Sequence, residues 1–324
     1  MNYMDKADRE IPNMEVSDMK TPREKISFRL HTPSDTHAIV SLISREPYHF
    51  MYGVTAEEFE RDLDEPGERI REHTFVVEAG ADMAAYFSLC FVKRNSHTAV
   101  YCYGTVDPDW RRQGIGTAIF DFIFSKLEKI AVEESTPIHF IHRAITRIPG
   151  ETALGIRFRM QEQQSLEVLR WKTVEDLRHR APSKEWLFRP PTLADAQAWA
   201  EIYNDAFGGN KSTASVVHEF EGTGFSPELY LLCTTLSGEP LGFVSATLRG
   251  TQGRIPTIAV RHEHQKRGIG KAMLSLILQR LTVQGAEDVR LSVDTANAAA
   301  RSLYSKFGFQ QDYRRIHYVT KFLP

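Results

Sequence analysis

Two short glycine-containing segments are the part of the sequence with the clearest chemical potential. They are Arg111–Gly116 (RRQGIG) and Gln265–Gly270 (QKRGIG), and they lie 154 residues apart. Each follows a stretch that predicts a strand and precedes a periodic apolar pattern that predicts a helix. The first turn of a helix has N–H groups without partners, and glycine lets an anion approach the backbone. Each segment therefore predicts a phosphate or pyrophosphate site.

Other glycine motifs compete for these two segments. A P-loop requires Ser or Thr after Gly-Lys, but Ala272 follows Gly270-Lys271. A dinucleotide fingerprint requires Gly or Ala where Ile119 and Met273 stand. For a single copy, an ordinary turn without a ligand remains the alternative to a phosphate site. The recurrence of the segment between a strand and a helix favours phosphate binding.

The elements that must position the two segments also occur twice. Phe28-Arg29 is followed by Asp35, and Phe188-Arg189 is followed at the same distance by Asp195. A period of about half the chain, seen twice, indicates a duplicated domain. We predict a mixed α/β fold with a polar tail at 1–26, an N-terminal domain at 27–182 and a C-terminal domain at 186–324, joined by a linker at 180–184.

Each copy has the same predicted order of elements. In the second copy we predict strands at 229–234, 241–248, 254–260 and 289–293, helices at 271–283 and 298–307, and a final pair of strands within 313–322. In the first copy we predict strands at 75–78, 84–91, 99–106 and 138–142 and a helix at 117–132. Pro256 predicts a bulge or an edge in its strand, because proline cannot donate to a ladder.

Composition excludes several classes of protein. The 324 residues are 42% hydrophobic and carry a net charge of −2, which gives no general attraction to nucleic acid or to anionic lipid. The sequence contains no apolar run of about 18 residues, so it predicts no membrane-spanning helix. Three scattered cysteines predict a reducing cytoplasm, and His139 and His142 make a poor metal pair on one strand. We therefore expect a cytoplasmic protein without a metal, a membrane or a nucleic-acid partner.

The glycine segments resemble the pyrophosphate loop of the GNAT (GCN5-related N-acetyltransferase) superfamily. Residues 297–309 (NAAARSLYSKFGF) are also similar to a downstream segment of that family. The resemblance covers about residues 27–324 and implies two tandem acyltransferase domains that use acetyl-CoA or another acyl-CoA. It also implies that an amine of a small molecule or a peptide attacks the acyl group directly.

The resemblance implies a set of site residues in each copy. Tyr304 would be the acid for the departing thiolate, and Asn297 would bind the cofactor, although a helix N-cap is an equally suitable role for Asn297. The remaining residues implied in cofactor binding are Ile258, Ala259, Val260, Gln265, Lys266, Arg267, Gly268, Ile269, Gly270 and Lys271 in the second copy, and Arg111, Arg112, Gln113, Gly114, Ile115, Gly116 and Thr117 in the first.

Elementary chemistry limits these roles. A phenol with a pKa of about 10 is a weaker acid than a thiol with a pKa of about 8.5, so a hydrogen bond to the thiolate is easier to justify than full proton transfer. Residues 254–257 (RIPT) lack the glutamate base that family members often place there. His262, Glu263 and His264 follow, where a solvated loop is expected. We expect water or a low-pKa amine to replace the base.

The first copy matches the family less well. We align Phe158 with Tyr304 and Glu151 with Asn297, so this copy lacks the phenol, and the second copy is expected to be the active one. A non-catalytic acyl-CoA sensor or scaffold remains an alternative. An aminoacyl-tRNA-dependent transferase on a related fold is another, against which the neutral charge speaks. The acceptor pocket is expected near residues 48–52 and 203–211.

Overall fold

The computed structural model describes residues 26–46, 48, 55–172 and 185–324. The linker predicted at 180–184 and all but the last residue of the predicted tail lie outside this part of the chain. The N-terminal half contains β1 (Ile26–Leu30), α1 (Thr36–Ser44), α2 (Ala56–Asp62), β2 (Thr74–Ala79), β3 (Asp82–Lys93), β4 (Thr98–Val106), α3 (Ile115–Glu133), β5 (Ile138–Ile145), α4 (Pro149–Arg157) and β6 (Gln161–Lys172).

The C-terminal half repeats this order of elements. It contains β7 (Trp186–Arg189), α5 (Ala196–Phe207), α6 (Thr213–Phe220), β8 (Tyr230–Thr235), β9 (Pro240–Arg249), β10 (Gln252–Val260), α7 (Ile269–Val283), β11 (Asp288–Asp294), α8 (Ala298–Lys306) and β12 (Gln310–Phe322). The predicted mixed α/β fold and its internal repeat are confirmed.

The repeat extends to matching side-chain contacts. Arg29 donates to both carboxylate oxygens of Asp35, and Arg189 does the same to Asp195. Each aspartate also accepts from the backbone N–H three residues earlier, and this closes the turn before the first helix of its half. The two ion pairs therefore fix equivalent corners of the two halves.

The two halves form one twelve-stranded sheet through their last strands. The strand order is β1-β2-β3-β4-β5-β12-β6-β11-β10-β9-β8-β7. β12 pairs with β5 of the N-terminal half, and β6 pairs with β11 of the C-terminal half. β6 and β12 also pair with each other. Each half is thus completed by the last strand of the other, although the halves are continuous in sequence.

The final strand differs from the prediction. We predicted a pair of strands within residues 313–322, but β12 is a single strand with irregular pairing near Gln311 and His317. Residues 313–322 contain neither glycine nor proline, so nothing favours a turn there. Partners on both sides, β5 and β6, keep the segment extended.

The two sides of the junction are held by buried charges as well as by backbone pairing. Arg290 on β11 is nearly buried, and it pairs with Asp288 at 2.8 Å and with Asp312 of β12 at 2.9 Å. Arg170 of β6 pairs with the other oxygen of Asp288. Loss of Arg290 would leave two carboxylates without their shared cation.

Candidate active site

Each half contains a slot formed where two parallel strands separate. β4 pairs with β5 only from Thr98 to Tyr101, although β4 continues to Val106. β10 pairs with β11 only from Gln252 to Ile255 and continues to Val260. Beyond these points the strands separate and leave backbone and side chains of β4 and β10 accessible. The crossover helices α3 and α7 begin at the open end of each slot.

The predicted irregularity at Pro256 is confirmed. The pairing of β10 with β9 shifts its register between Arg254 and Thr257, on either side of that proline. The shift lies just beyond Ile255, where the pairing with β11 ends. The missing N–H of Pro256 therefore lies where the strands begin to separate.

The two glycine segments have matching backbone conformations. Arg112 and Lys266 have φ of 60° and 61°, and Gly114 and Gly268, the N-caps of α3 and α7, have φ of 85° and 97°. Left-handed residues of this kind turn successive N–H groups toward one side. Together with the unpaired N–H groups of the helix start, they give each loop a set of donors that suits an anion. Each loop lies between a strand and a helix, as the sequence predicted, whereas the left-handed conformation of Arg112 and Lys266 was not predicted.

The first side chain of each segment supports the loop itself. Arg111 Nε donates to the carbonyl of Val106 at 3.0 Å, and Gln265 Nε2 donates to the carbonyl of Val260 at 3.2 Å. Arg111 also forms an ion pair with the buried Glu46. The predicted phosphate contacts of these loops thus depend mainly on backbone N–H groups, with the exposed cations Arg112, Lys266 and Arg267 nearby.

The N-terminal slot is a cavity of about 600 Å³. Its loop end is formed by Arg111, Arg112, Gly114, Gly116 and Thr117, all of which the sequence assigned to the site. Its walls are largely apolar, and their members are Phe87, Cys102, Val106, Trp110, Ile115, Ile119, Phe120, Ile145, Ile148 and Leu154. A slot with these dimensions and a basic, N–H-rich end suits an extended apolar arm that ends in phosphates.

Four charged residues that line this slot were not assigned to it by the sequence: Glu46, Arg143, Glu151 and Arg315. Glu151 accepts from the N–H of Ile145 at 2.6 Å, and burial raises the pKa of its carboxyl to about 7. Arg315 reaches the same slot from β12, the strand supplied by the C-terminal half. Only the strand exchange places Arg315 here, so no local sequence signal could have found it.

Tyr304 and Asn297 lie on and before α8 in the C-terminal half. Asn297 accepts from the N–H of Ala300 at 3.0 Å and is the N-cap of the helix, one of the two roles expected. Tyr304 is 9% exposed, and its ring centroid lies 5.8 Å from that of Phe309. Burial raises the pKa of its phenol to about 12. Tyr304 is therefore a proton donor in hydrogen bonds and a poor acid.

Helix ends show that Phe158 is not equivalent to Tyr304. The matching residues of α4 and α8 are Ile148 and Asn297 at the N-caps, Phe158 and Phe307 at the C-caps, and Arg159 and Gly308 in left-handed conformation beyond them. This alignment places Gly155 at the position of Tyr304 and Glu151 at that of Ala300. Our sequence alignment of these helices is wrong because its spacing was counted back from an aromatic residue without knowledge of the helix ends.

Gly155 leaves no space for a phenol in the N-terminal half. A Cβ at Gly155 would lie 2.7 Å from the ring of Tyr318, which belongs to β12. The exchanged strand thus fills the space that the Tyr304 side chain fills in the other half. The first copy lacks the phenol, as predicted, but for a different reason.

The candidate bases His262, Glu263 and His264 form a short turn that follows β10. His262 lies 3.2 Å from Asp205 on α5, and His264 lies 3.5 Å from Glu263. His262 and Glu263 are exposed, as the sequence predicted for a solvated loop.

A second cavity of about 990 Å³ lies between the two halves. α2 and the segment that follows it contribute Asp62, Glu65 and Glu68, and β3 contributes Lys93. The C-terminal half contributes Tyr203, Asn210 and Lys211 from the segment in which we expected acceptor residues, together with Arg254. Of the other expected segment, residues 48–52, only Tyr48 is described, and it packs against Tyr313.

Within the described residues, no helix is both long enough and apolar enough to cross a membrane.

Known proteins resemble this chain in sequence and in fold. Residues 196–309 match the acetyltransferase (GNAT) family. A mycothiol acetyltransferase of Clavibacter michiganensis subsp. michiganensis is 27% identical over 223 residues, which are 65% of this chain and 70% of that protein. A mycothiol acetyltransferase of Paenarthrobacter aurescens is 35% identical over 126 residues, 36% of this chain and 39% of that protein.

Solved structures share the two-domain fold. A GCN5-related N-acetyltransferase of Sphaerobacter thermophilus has a TM-score of 0.69 and 22% identity, and the match covers 94% of this chain and 98% of that one. A tandem GNAT protein from the clavulanic acid biosynthesis pathway has a TM-score of 0.69 and 13% identity, and covers 93% and 99%. Residues 196–309 thus belong to the GNAT family, the chain is an N-acetyltransferase, and both of its halves share the fold of solved GNAT structures.

Proposed function

We propose that the protein transfers an acetyl group from acetyl-CoA to a primary amine of a small molecule, and that the C-terminal half performs this reaction. The observation that supports the proposal is the C-terminal slot. In it the loop at Gln265–Gly270 and α7 follow a splayed strand, with Tyr304 and Asn297 on the adjoining helix.

The donor set of this slot fits a CoA thioester. N–H groups of residues 266–271 and the cations Lys266, Arg267 and Lys271 would hold the pyrophosphate. The strand residues Ile258, Ala259 and Val260 would pair with the pantetheine arm, and Asn297 would bind near its end. When bound, acetyl-CoA supplies an acyl group activated as a thioester.

Tyr304 would stabilise the departing thiolate by donating a hydrogen bond. Because the phenol has a pKa of about 12, full transfer of its proton to a thiolate, whose conjugate thiol has a pKa of about 8.5, is uphill by about 5 kcal/mol. A hydrogen bond that strengthens as negative charge forms on sulfur carries no such penalty. The buried phenol therefore acts as a donor that keeps its proton.

β10 has no carboxylate that could take a proton from the acceptor, so the acceptor amine must lose its ammonium proton without this base. At pH 7 this costs about 4.6 kcal/mol for an alkyl amine but only about 1 kcal/mol for an α-amine. We therefore propose an acceptor amine of low pKa. The names of the mycothiol acetyltransferases also favour a small molecule as acceptor.

The proposal is tested by incubating the protein with acetyl-CoA and a panel of amines. The panel includes α-amines, polyamines and the acceptor used by the mycothiol acetyltransferases. We expect release of CoA thiol that depends on one class of amine and equals the acetylated product found by mass spectrometry. Saturable acetyl-CoA binding without transfer to any amine would contradict the proposal and favour an acyl-CoA sensor.

A further inference from the structure

The N-terminal slot and the cavity between the halves share part of their walls. Tyr86, Tyr103 and Arg143 line both cavities. The two spaces are thus separated by no more than the thickness of these side chains. One space suits an acyl-CoA arm, and the other is large enough for a small acceptor molecule.

The cavity between the halves approaches the two slots unequally. On β4 its wall includes Tyr101 and Tyr103. On β10 its wall includes Gln252–Arg254, upstream of the register shift, and among the described lining residues it does not include Ile258–Val260. An acceptor in this cavity therefore faces the N-terminal slot more directly than the C-terminal slot.

Arg143 is held at the shared wall. Its guanidinium carbon lies 4.3 Å from the ring centroid of Tyr103 and 5.5 Å from that of Tyr101. Cation–π contact of this kind fixes a positive charge at the place where the two cavities meet. A fixed cation stabilises negative charge that develops on a carbonyl oxygen.

The slot itself retains the loop and the separated strands, but it lacks the phenol of Tyr304 and has Ile148 at the position of Asn297. Its loop has the same left-handed residues as the loop of the C-terminal half, and its strands separate after the same number of pairs. Gly155 replaces the tyrosine, so the leaving thiolate has no phenol as a hydrogen-bond donor, and its proton must come from another group, as in the C-terminal slot. The proton lost by the attacking nitrogen is sufficient for this purpose.

We propose that the N-terminal slot is a second acyl-transfer site, which serves a primary amine bound in the cavity between the halves. The amine nitrogen bonds to the thioester carbonyl carbon, the carbon–sulfur bond breaks, and the proton lost from nitrogen reaches the thiolate, which gives an amide and free CoA thiol. Arg143 stabilises the carbonyl oxygen during this step. The inference shares with the proposed function the use of acetyl-CoA, but it does not depend on Tyr304.

The walls of the cavity indicate a polar amine. Asp62, Glu65 and Glu68 lie on its N-terminal side, and burial together with neighbouring carboxylates raises the pKa of Asp62 to about 6. Lys93 and Arg254 line the same cavity. An ammonium group would be attracted to the carboxylates, and an anionic group on the same molecule would be attracted to the cations.

The matched glycines of the two loops allow a direct test. Gly114→Glu and Gly268→Glu place the same charge and bulk at equivalent left-handed positions. Acetyl transfer is measured with glycinamide, a small α-amine of low pKa, as the acceptor. Because both slots transfer acetyl, we expect Gly268→Glu to lower transfer but to retain at least about a tenth of it, and the added Gly114→Glu to remove that remainder.

Complete loss in Gly268→Glu, with transfer retained in Gly114→Glu, would overturn the inference and leave the proposed function intact. Absence of transfer by the wild type would also overturn it, and absence of acetyl-CoA binding would overturn both proposals.

Arg143 offers a test that leaves both loops intact. In the Gly268→Glu background, we expect Arg143→Leu to lower kcat by about 100-fold with little change in KM for acetyl-CoA. Arg143→Lys keeps the charge and should restore part of the activity. If Arg143→Leu had full kcat, or if the loss appeared only in thermal stability, Arg143 would have no role in the transfer.

Discussion

Removal of the Tyr304 hydroxyl tests the chemistry of the C-terminal slot most sharply. Tyr304→Phe keeps the ring that packs near Phe309 and deletes only the phenol oxygen. Tyr304 is 9% exposed, and because phenylalanine has the same ring, the packing around it is almost unaltered. Any kinetic effect therefore reports the hydroxyl.

The size of the effect follows from the role proposed for the phenol. A hydrogen bond to a charged partner contributes about 1.5–3 kcal/mol. If it forms only as charge develops on sulfur, its loss lowers kcat by about 10- to 150-fold and leaves KM for acetyl-CoA nearly unchanged. With a pKa of about 12, Tyr304 stays protonated up to about pH 10. The ratio of wild-type to variant kcat should therefore be constant between about pH 7 and 9.

The assay is steady-state release of CoA thiol in the Gly114→Glu background, so that only the C-terminal slot contributes. Tyr313→Phe is the matched control, because Tyr313 is a buried tyrosine of the same half that lies on β12 and outside the C-terminal slot. An unchanged kcat in Tyr304→Phe would refute the donor role. A wild-type to variant ratio that falls as pH rises from about 7 to 9 would show that Tyr304 loses its proton in that range.

Three further variants test binding, pH dependence and the junction. Gly268→Glu should remove one of two equivalents of acetyl-CoA in a calorimetric titration, and two remaining equivalents would refute the loop assignment. Glu151 has a pKa of about 7 against 4.5 ordinarily, so its ionisation costs the folded state stability as pH rises from about 4.5 to 7, up to about 3 kcal/mol above pH 7. In urea unfolding, the free energy of unfolding of Glu151→Gln relative to that of the wild type should therefore rise by about that much from pH 5 to pH 8. The same difference between variant and wild type at both pH values would contradict this. Arg290→Met removes the cation shared by Asp288 and Asp312, which keep Arg170 and Arg147 as partners, and should cost about 1.5–3 kcal/mol of unfolding free energy; a loss under about 1 kcal/mol would contradict this.

Local patterns were sufficient to predict most single elements. The helix predicted at 271–283 is α7 (Ile269–Val283), and the strand predicted at 254–260 is β10 (Gln252–Val260). Both depend on periodicity and on glycine or proline, which act within a few residues. The loop conformation also follows from local rules, because glycine at the N-cap favours positive φ there.

The strand exchange could not be read from the sequence. The pairing of β12 with β5 joins residues that are far apart in the chain, and no pattern within either strand identifies its partner. This arrangement places Arg315 in the N-terminal slot and Tyr318 against Gly155. The rest of the N-terminal slot comes from the N-terminal half. The sequence therefore predicted its loop but neither of these two residues from β12.

A calorimetric titration of the wild-type protein with acetyl-CoA tests the central claim most directly. The account predicts saturable binding with two equivalents per chain, one at Arg111–Gly116 and one at Gln265–Gly270. A folded sample that takes up no acetyl-CoA would contradict the account, since both slots would then lack the ligand on which every proposed reaction depends.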